Sequence, residues 1–209
     1  MSVEIQWFGH ASFRISDGKN VIYIDPWKLP RAPHDADAIF VSHSHYDHCS
    51  KLDVAKASKD GTVVIAPADT IQKLGATNAI TPGESFPIED ILVEAVAAYN
   101  IGKTFHPRGH NWCGAVITLA GRRIYYAGDT DVIPQMSNLK DVDVALLPVG
   151  GTYTMSPQEA ATAAKAIGCR AAIPYHWGDI VGSEEDAQAF AQAAPCPVHV
   201  LQPGETLRV

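Results

Sequence analysis

Three histidines and an aspartate fall within six residues of the run "IFVSHSHYDHCS": His43, His45, Asp47 and His48. Imidazole nitrogens and carboxylate oxygens are the donors that zinc and other divalent first-row metals accept. On an extended chain residues two apart point to the same side, so His43 and His45 project together. Asp47 and His48 follow in a turn, where the chain can curl back to the same point. Three imidazoles crowded together without a cation would repel one another when protonated. The pattern points to a metal centre at a strand end rather than to a polar loop that happens to be rich in histidine.

Such a centre needs donors from elsewhere in the chain, and other strand ends offer them. "IYYAGDTD" places Asp129 after an apolar run, with Gly128 permitting a tight bend, and "AAIPYHWG" places His176 after another. One apolar strand ending in a lone His or Asp is a weak signal. Three such strands sharing one coordination chemistry are a strong one. The segment "FHPRGH" adds His106 and His110.

The elements that must position these residues can be read from periodicity and turn chemistry. "SFRIS" and "NVIYID" flank "DGKN", a hairpin signal, and the apolar "DAIFVSH" reads as a central strand. "LDVAKASKD" reads as a short helix ending at Gly61, and "TVVIAP" returns to strand. In the second half "GAVITLA" and "RRIYYAGD" flank a tight turn at Ala120 and Gly121, and "DVALLPVG" is a buried strand. "SPQEAATAAKAIG" carries an N-cap at Ser156, Pro157 at the first position, a capping box through Glu159 and a stop at Gly168. "AAIPYH" is strand, "SEEDAQAFAQAA" is a helix opening at Ser183, and "VHVLQPGETLRV" ends in β structure. Strands followed by helices in each half predict two face-to-face sheets with helices outside, a four-layer αββα sandwich of the α/β class.

Composition is consistent with this. The 209 residues are 46% hydrophobic and 19% charged, which suits one domain spanning 1–209 with a sizeable core. A net charge of −7 argues against a general nucleic-acid binder, which shows a basic face. No apolar run is long enough for a membrane span, and the N-terminal residues do not read as a signal peptide. The four cysteines lie far apart in sequence, form no CxxC pair, and are expected to be free thiols in a reducing cytoplasm.

"HSHYDH" fits the HxHxDH signature of the metallo-β-lactamase fold superfamily. The later His in "FHPRGH", Asp129 and His176 follow in that family's order. "GHASFRI", "IDP" and "AGDTD" resemble the small branch of metal-dependent hydrolases similar to ascorbate-6-phosphate lactonase-like proteins. The match spans nearly the whole chain and implies the αββα sandwich already read from the elements. Carried over by position, it implies that His43, His45 and a middle histidine hold one metal. Asp47, His48 and His176 would hold a second, and Asp129 would bridge both. Many relatives place the middle histidine where this chain has Asn100, so His106 and His110 compete for the role, with His106 preferred and His110 left to face substrate.

The cofactors expected are two divalent metal ions, zinc first, with manganese or iron as alternatives. Two cations about 3.5–4 Å apart can share a water and bring its pKa towards neutrality. Metal-bound hydroxide would then attack a small ester, lactone, amide or phosphodiester, with Asp47 orienting it. Cys49 lacks a dedicated base and reads as packing. His10 in "FGHAS" is expected at the rim of the pocket, where it bonds substrate or serves structure. Asp25 is expected to orient a ligating imidazole from behind. Tyr153 is expected to touch substrate, and Trp177 to line an apolar wall. The partner is a small molecule, with no nucleic acid and no membrane, and a homo-oligomer is allowed. The alternatives are an iron-dependent redox enzyme acting on persulfides, or a fold member without catalysis.

Overall fold

The side chain of Asp17 builds the first hairpin. Its Oδ1 accepts the backbone N–H groups of Lys19 and Asn20 at 2.9 and 2.7 Å, an Asx turn that reverses the chain. The turn joins Ser12–Ser16 (β2) to Val21–Ile24 (β3), which pair antiparallel. In the computed structural model, which describes residues 2–209, these two strands sit near the middle of a seven-stranded sheet. Glu4–Gly9 (β1) lies beside β2, and Ala36–Phe40 (β4), Ser58–Ala66 (β5) and Asn78–Ala79 (β6) extend the other side. The second sheet has six strands: Ser85–Ile88 (β7), Ile91–Ala97 (β8), Cys113–Leu119 (β9), Arg122–Tyr126 (β10), Val144–Pro148 (β11) and Ala171–Tyr175 (β12). They are ordered β12-β11-β10-β9-β8-β7. Thr206–Arg208 (β13) returns to pair with β1 at the edge of the first sheet.

Helices cover the outer faces. Lys51–Ala57 (α1) and Ala68–Leu74 (α2) bury Val54, Ala57 and Leu74 against Val21, Tyr23, Ile39 and Val41 of the first sheet. Pro157–Ile167 (α3) and Glu184–Ala193 (α4) pack on each other and on the second sheet through Ala160, Ala163, Ala164, Ala187 and Phe190. Between the sheets Phe13 meets Tyr126 and Tyr175 edge-on, with centroids 6.2 and 5.6 Å apart. The result is the αββα sandwich.

The capping signals at α3 are realised in full. Ser156 accepts from the Glu159 backbone, Glu159 returns the bond, and Gly168 closes the helix in the left-handed region at φ +67°. Ser156→Ala removes an N-cap and is expected to destabilise the fold by about 1 kcal/mol in a denaturant titration.

Two local expectations differ. The helix after His48 stops at Ala57, and Gly61 lies within β5, because Ser58 turns extended while its Oγ and N–H both bond the Val54 carbonyl. The cysteines, remote in sequence, include one close pair: the unbonded sulfurs of Cys169 and Cys196 are 3.7 Å apart. No helix among the described residues is long and apolar enough to cross a membrane.

Strand direction is the property that makes a site. β1, β3 and β4 run the same way, as do β8, β10 and β12 within the second sheet. Their C-terminal ends lead directly into His10, Asp25, the His43–His48 run, Asn100, Asp129 and His176. Backbone bonds stitch the two edges together there, His176 N–H to the His10 carbonyl at 2.9 Å and Cys113 N–H to the Ser42 carbonyl at 3.2 Å. Carboxyl ends of parallel strands are where open α/β sheets bind ligands.

Candidate metal centre

At that shared edge the donors facing the opening form two sets, and Asp25 groups with His43 and His48 behind them. His43, His45 and His106 bring one donor atom each within 4.8 Å of one another, and His10, Asp47, His48 and His176 do the same. Asp129 reaches into both: its Oδ2 is 3.3 Å from His106 Nε2 and 3.1 Å from His176 Nε2, and its Oδ1 is 3.5 Å from His48 Nε2. The facing nitrogens of His43 and His45 are 3.1 Å apart.

The imidazoles are held from behind. Asp25 is fully buried and accepts four bonds, from Ser42 N–H (2.7 Å), Ser42 Oγ–H (2.5 Å), His48 Nδ1–H (2.7 Å) and Tyr126 O–H (2.6 Å). Because the Ser42 hydroxyl donates to Asp25, it accepts from His43 Nδ1 at 2.9 Å. One carboxylate thereby orients both His43 and His48 through Nδ1, so that each Nε2 faces the centre and offers its lone pair whenever the ring is neutral. Asn100 does the same for the other side. Its Oδ1 accepts His106 Nδ1–H at 2.9 Å and the His106 backbone N–H at 3.0 Å. Asp131 anchors that loop by accepting from the Asn100 amide, Ile101 N–H and Lys103 ammonium.

Three of the ten non-glycine residues at positive φ among the described residues belong to this cluster. His10, Asp25 and His176 sit in the left-handed region at φ +49°, +42° and +63°, which costs a non-glycine residue about 1–2 kcal/mol. Gly150 permits the last of these. A Cβ there would collide with the His176 carbonyl oxygen and approach Val181 to 2.9 Å.

The charge states follow from burial and neighbours. Burial opposes charge on His48, but Asp129 and Asp25 outweigh it and raise its pKa well above the ordinary value. Burial, with His48, His106 and His45 alongside, lowers His43 well below that value, so it is neutral. Burial opposes ionisation of Asp47, yet the His10 hydrogen bond at 2.9 Å and His48 bring it down to about 2. Burial raises the Cys49 thiol to about 11, so it is protonated at neutral pH and is no nucleophile.

Whether this arrangement fits metal ions is tested by its unpaired atoms. Six of the eight buried side-chain polar atoms without a hydrogen-bond partner, among the described residues, belong to this edge: His10 Nδ1, His48 Nε2, His106 Nε2, both ring nitrogens of His176 and Asp129 Oδ1. Leaving such atoms unpaired costs about 1–3 kcal/mol each. Divalent cations satisfy lone pairs that no donor of the protein reaches. The donor set fits. Since ligating imidazoles must be unprotonated and His48 holds its proton in the metal-free fold, metal binding near pH 7 is expected to release at least one proton per chain. Calorimetric titration in two buffers of different ionisation enthalpy measures this, and zero release would refute it. The sign is fixed: affinity rises with pH through the folded His48 value and falls below it.

The structure gathers most of the predicted site and redistributes some of it. His106 is buried among the donors, whereas His110 is exposed and rests edge-on against Trp112 at 4.6 Å. His10 is not a rim residue. It is 1% exposed, because β1 ends under Asp47, and its ring centroid lies 4.1 Å from that of His176 with the planes tilted by 44°. Trp177 does not wall the cleft; it is buried 4.8 Å from Trp7. Tyr153 lines the cleft. Sequence reasoning passed over Ser42, Tyr126, Trp112 and the supporting role of Asn100. Trp112 walls the first set, with its centroid 5.0, 4.9 and 5.8 Å from His43, His45 and His106, and donates Nε1–H to Asp69. A cleft of about 220 Å³ opens over the centre, floored by His45, Asp47, His106, Asp129 and His176.

An αββα sandwich with histidines and aspartates converging at one strand edge defines the metallo-β-lactamase fold class. A family model described as the beta-lactamase superfamily domain matches residues 4–176. A UPF0173 metal-dependent hydrolase of Symbiobacterium thermophilum is 37% identical over 226 aligned positions, covering 98% of this chain and 99% of that protein. A UPF0173 metal-dependent hydrolase of Thermus thermophilus is 33% identical, with 99% of each covered. A crystal structure from Parabacteroides distasonis, provisionally described as a metal-dependent hydrolase, superposes with a TM-score of 0.84 at 32% identity. That match covers 96% of this chain and 94% of the other. The chain belongs to the β-lactamase superfamily, and its full-length relatives carry the description metal-dependent hydrolase.

Proposed function

We propose that the chain is a dinuclear metal-dependent hydrolase acting on a small ester, lactone, amide or phosphodiester. The observation that carries this reading is Asp129, whose two oxygens face nitrogens from both donor sets. His43, His45 and His106 would hold one divalent ion and Asp47, His48 and His176 the other, with zinc the first expectation and manganese or iron the alternatives. Bound there, two such ions supply Lewis acidity, acidifying water and neutralising charge that develops on the substrate oxygen.

The remaining work belongs to the chain. Asp25, Ser42 and Asn100 fix the imidazole tautomers before substrate arrives, so no reorganisation is needed during reaction. Asp47, ionised and at the floor of the cleft, orients the attacking water by accepting its hydrogen bond. His10 holds the Asp47 carboxylate from behind. The small cleft favours a small-molecule substrate, and the acidic chain favours neither nucleic acid nor a membrane surface as partner.

The test is metal analysis of protein reconstituted with zinc, manganese or iron, joined to assays on ester, lactone, amide and phosphodiester panels. Two ions per chain and turnover of one panel are expected. A saturating stoichiometry of one would overturn the dinuclear reading. Inertness with all three metals, or activity confined to persulfide oxidation by the iron form, would overturn hydrolysis.

A further inference from the structure

Five large hydrophobic side chains are exposed among the described residues, and three of them, Tyr46 (65%), Phe105 (43%) and Ile180 (44%), stand around the cleft over the metal centre. Single exposed hydrophobics are ordinary on any surface, but three around one small opening are not. Each comes from a different loop. Tyr46 lies inside the His43–His48 turn, Phe105 immediately precedes His106, and Ile180 follows His176 by four residues. Phe105 is braced edge-on by Tyr153, with centroids 4.7 Å apart, and Tyr46 stands edge-on to Trp27 at 6.2 Å.

Ile180 carries the strongest signal. It has φ +68°, and the Val181 N–H bonds the Asp179 carbonyl across it at 2.8 Å. That combination is the rarer, strained γ-turn, and a β-branched side chain is the least suited to it. Gly178 and Gly182, also at positive φ, close the loop around it through the Gly178 N–H and the Gly182 carbonyl. The loop gains no core burial from the side chain, which points out at the cleft. A strained, exposed isoleucine beside a metal centre is explained by what it presents to a ligand.

The same lining holds no lysine or arginine. The nearby ammonium groups are engaged elsewhere, Lys103 with Asp131 and the Thr154 carbonyl, and Lys28 with Asp179. A substrate with an anionic tail would find no counter-charge at the rim. We infer that Tyr46, Phe105 and Ile180 form an apolar clamp that selects an uncharged substrate, a carboxylic ester or lactone whose non-reacting portion is alkyl or aryl. This rests on the reading of the cleft as a site of hydrolysis.

The test uses the metal-loaded protein and two uncleavable ketones, 4-phenylbutan-2-one and the charged levulinate, with affinities measured by NMR titration. The same protein is assayed on ethyl butanoate and on monoethyl succinate, which carries a carboxylate in place of the terminal methyl of the acyl chain. The neutral ketone is expected to bind at least roughly tenfold more tightly than levulinate. Phe105→Ala and Ile180→Gly should each weaken the neutral ketone by about that factor and leave levulinate unmoved. Ile180→Gly should also keep or raise the thermal midpoint, since glycine relieves the strained φ. That result separates a ligand-facing role from a structural one. Equal affinity for the two ketones, preference for the succinate ester, or variants with parental affinity would overturn the clamp while leaving hydrolysis standing. Selective, variant-sensitive binding of the neutral ketone without turnover of either ester would sustain the apolar clamp and overturn the ester assignment, leaving hydrolysis itself to the lactone, amide and phosphodiester panels.

Discussion

Asp129→Ala is expected to reduce kcat/KM at least roughly a thousandfold and, on the proposed dinuclear reading, to cut bound metal from two ions per chain to one or none. Removing a single preorganised electrostatic group from an active site commonly costs a hundredfold to a thousandfold, and a group that also holds metal costs more. The Asp129 carboxylate lies within 3.5 Å of nitrogens on His48, His106 and His176, so it is the anion set between the two donor sets. Those imidazoles, with His48 and His176 foremost, drive its pKa far below the ordinary carboxylate value against the opposing effect of burial, and the charge is therefore permanent at working pH. Asp129→Asn separates charge from shape. It preserves volume and one oxygen, so an enzyme that needs only a polar filler would survive it. Near-complete loss in the asparagine variant as well is expected, because the missing quantity is negative charge. Two ions per chain with more than a tenth of parental activity in Asp129→Ala would refute the bridging role.

The donors that were legible in the sequence share one property: their chemistry is expressed locally. His43, His45, Asp47 and His48 advertise themselves by density, and Asp129 and His176 by position after apolar strands, and the structure brings all six to one strand edge. What was not legible depends on long-range placement. His10 looked like a rim residue because nothing in "FGHAS" reveals that β1 ends beneath Asp47, 37 positions away. Asn100 looked like a departure from the family pattern. Its amide oxygen holds the histidine that arrives six residues later. Tyr46, Phe105 and Ile180 could not be found at all, since an exposed hydrophobic side chain and a core one are written with the same letters. The positive φ of Ile180 leaves only the flanking Gly178 and Gly182 as a trace. The fold was more legible than the site because strand periodicity, the "DGKN" turn and the α3 capping box are all short-range signals.

Asp25 carries the second large effect, and it is felt in stability before it is felt in chemistry. The carboxylate is inaccessible to solvent and accepts from Ser42 twice, from His48 and from Tyr126. In Asp25→Ala those four donors lose their acceptor together in a site that water does not reach, and a buried His48 loses the nearest of its three anionic neighbours. Breaking a buried charged partner in this way costs about 3–5 kcal/mol, which for a chain of this size lowers the thermal midpoint by about 10 °C. Metal affinity should fall a further tenfold to a hundredfold, because His43 and His48 lose the tautomers that aim their Nε2 lone pairs at the centre. Two companions make the assignment specific. Tyr126→Phe removes one of the four donors and touches no candidate ligand, so it should cost about 1 kcal/mol and leave metal affinity unchanged. Asp25→Asn keeps the volume but turns an N–H group towards groups that need an acceptor, so it should recover part of the stability while metal affinity remains low. Asp25→Asn with parental metal affinity would show that the carboxylate merely fills space, and that the imidazoles orient themselves without it.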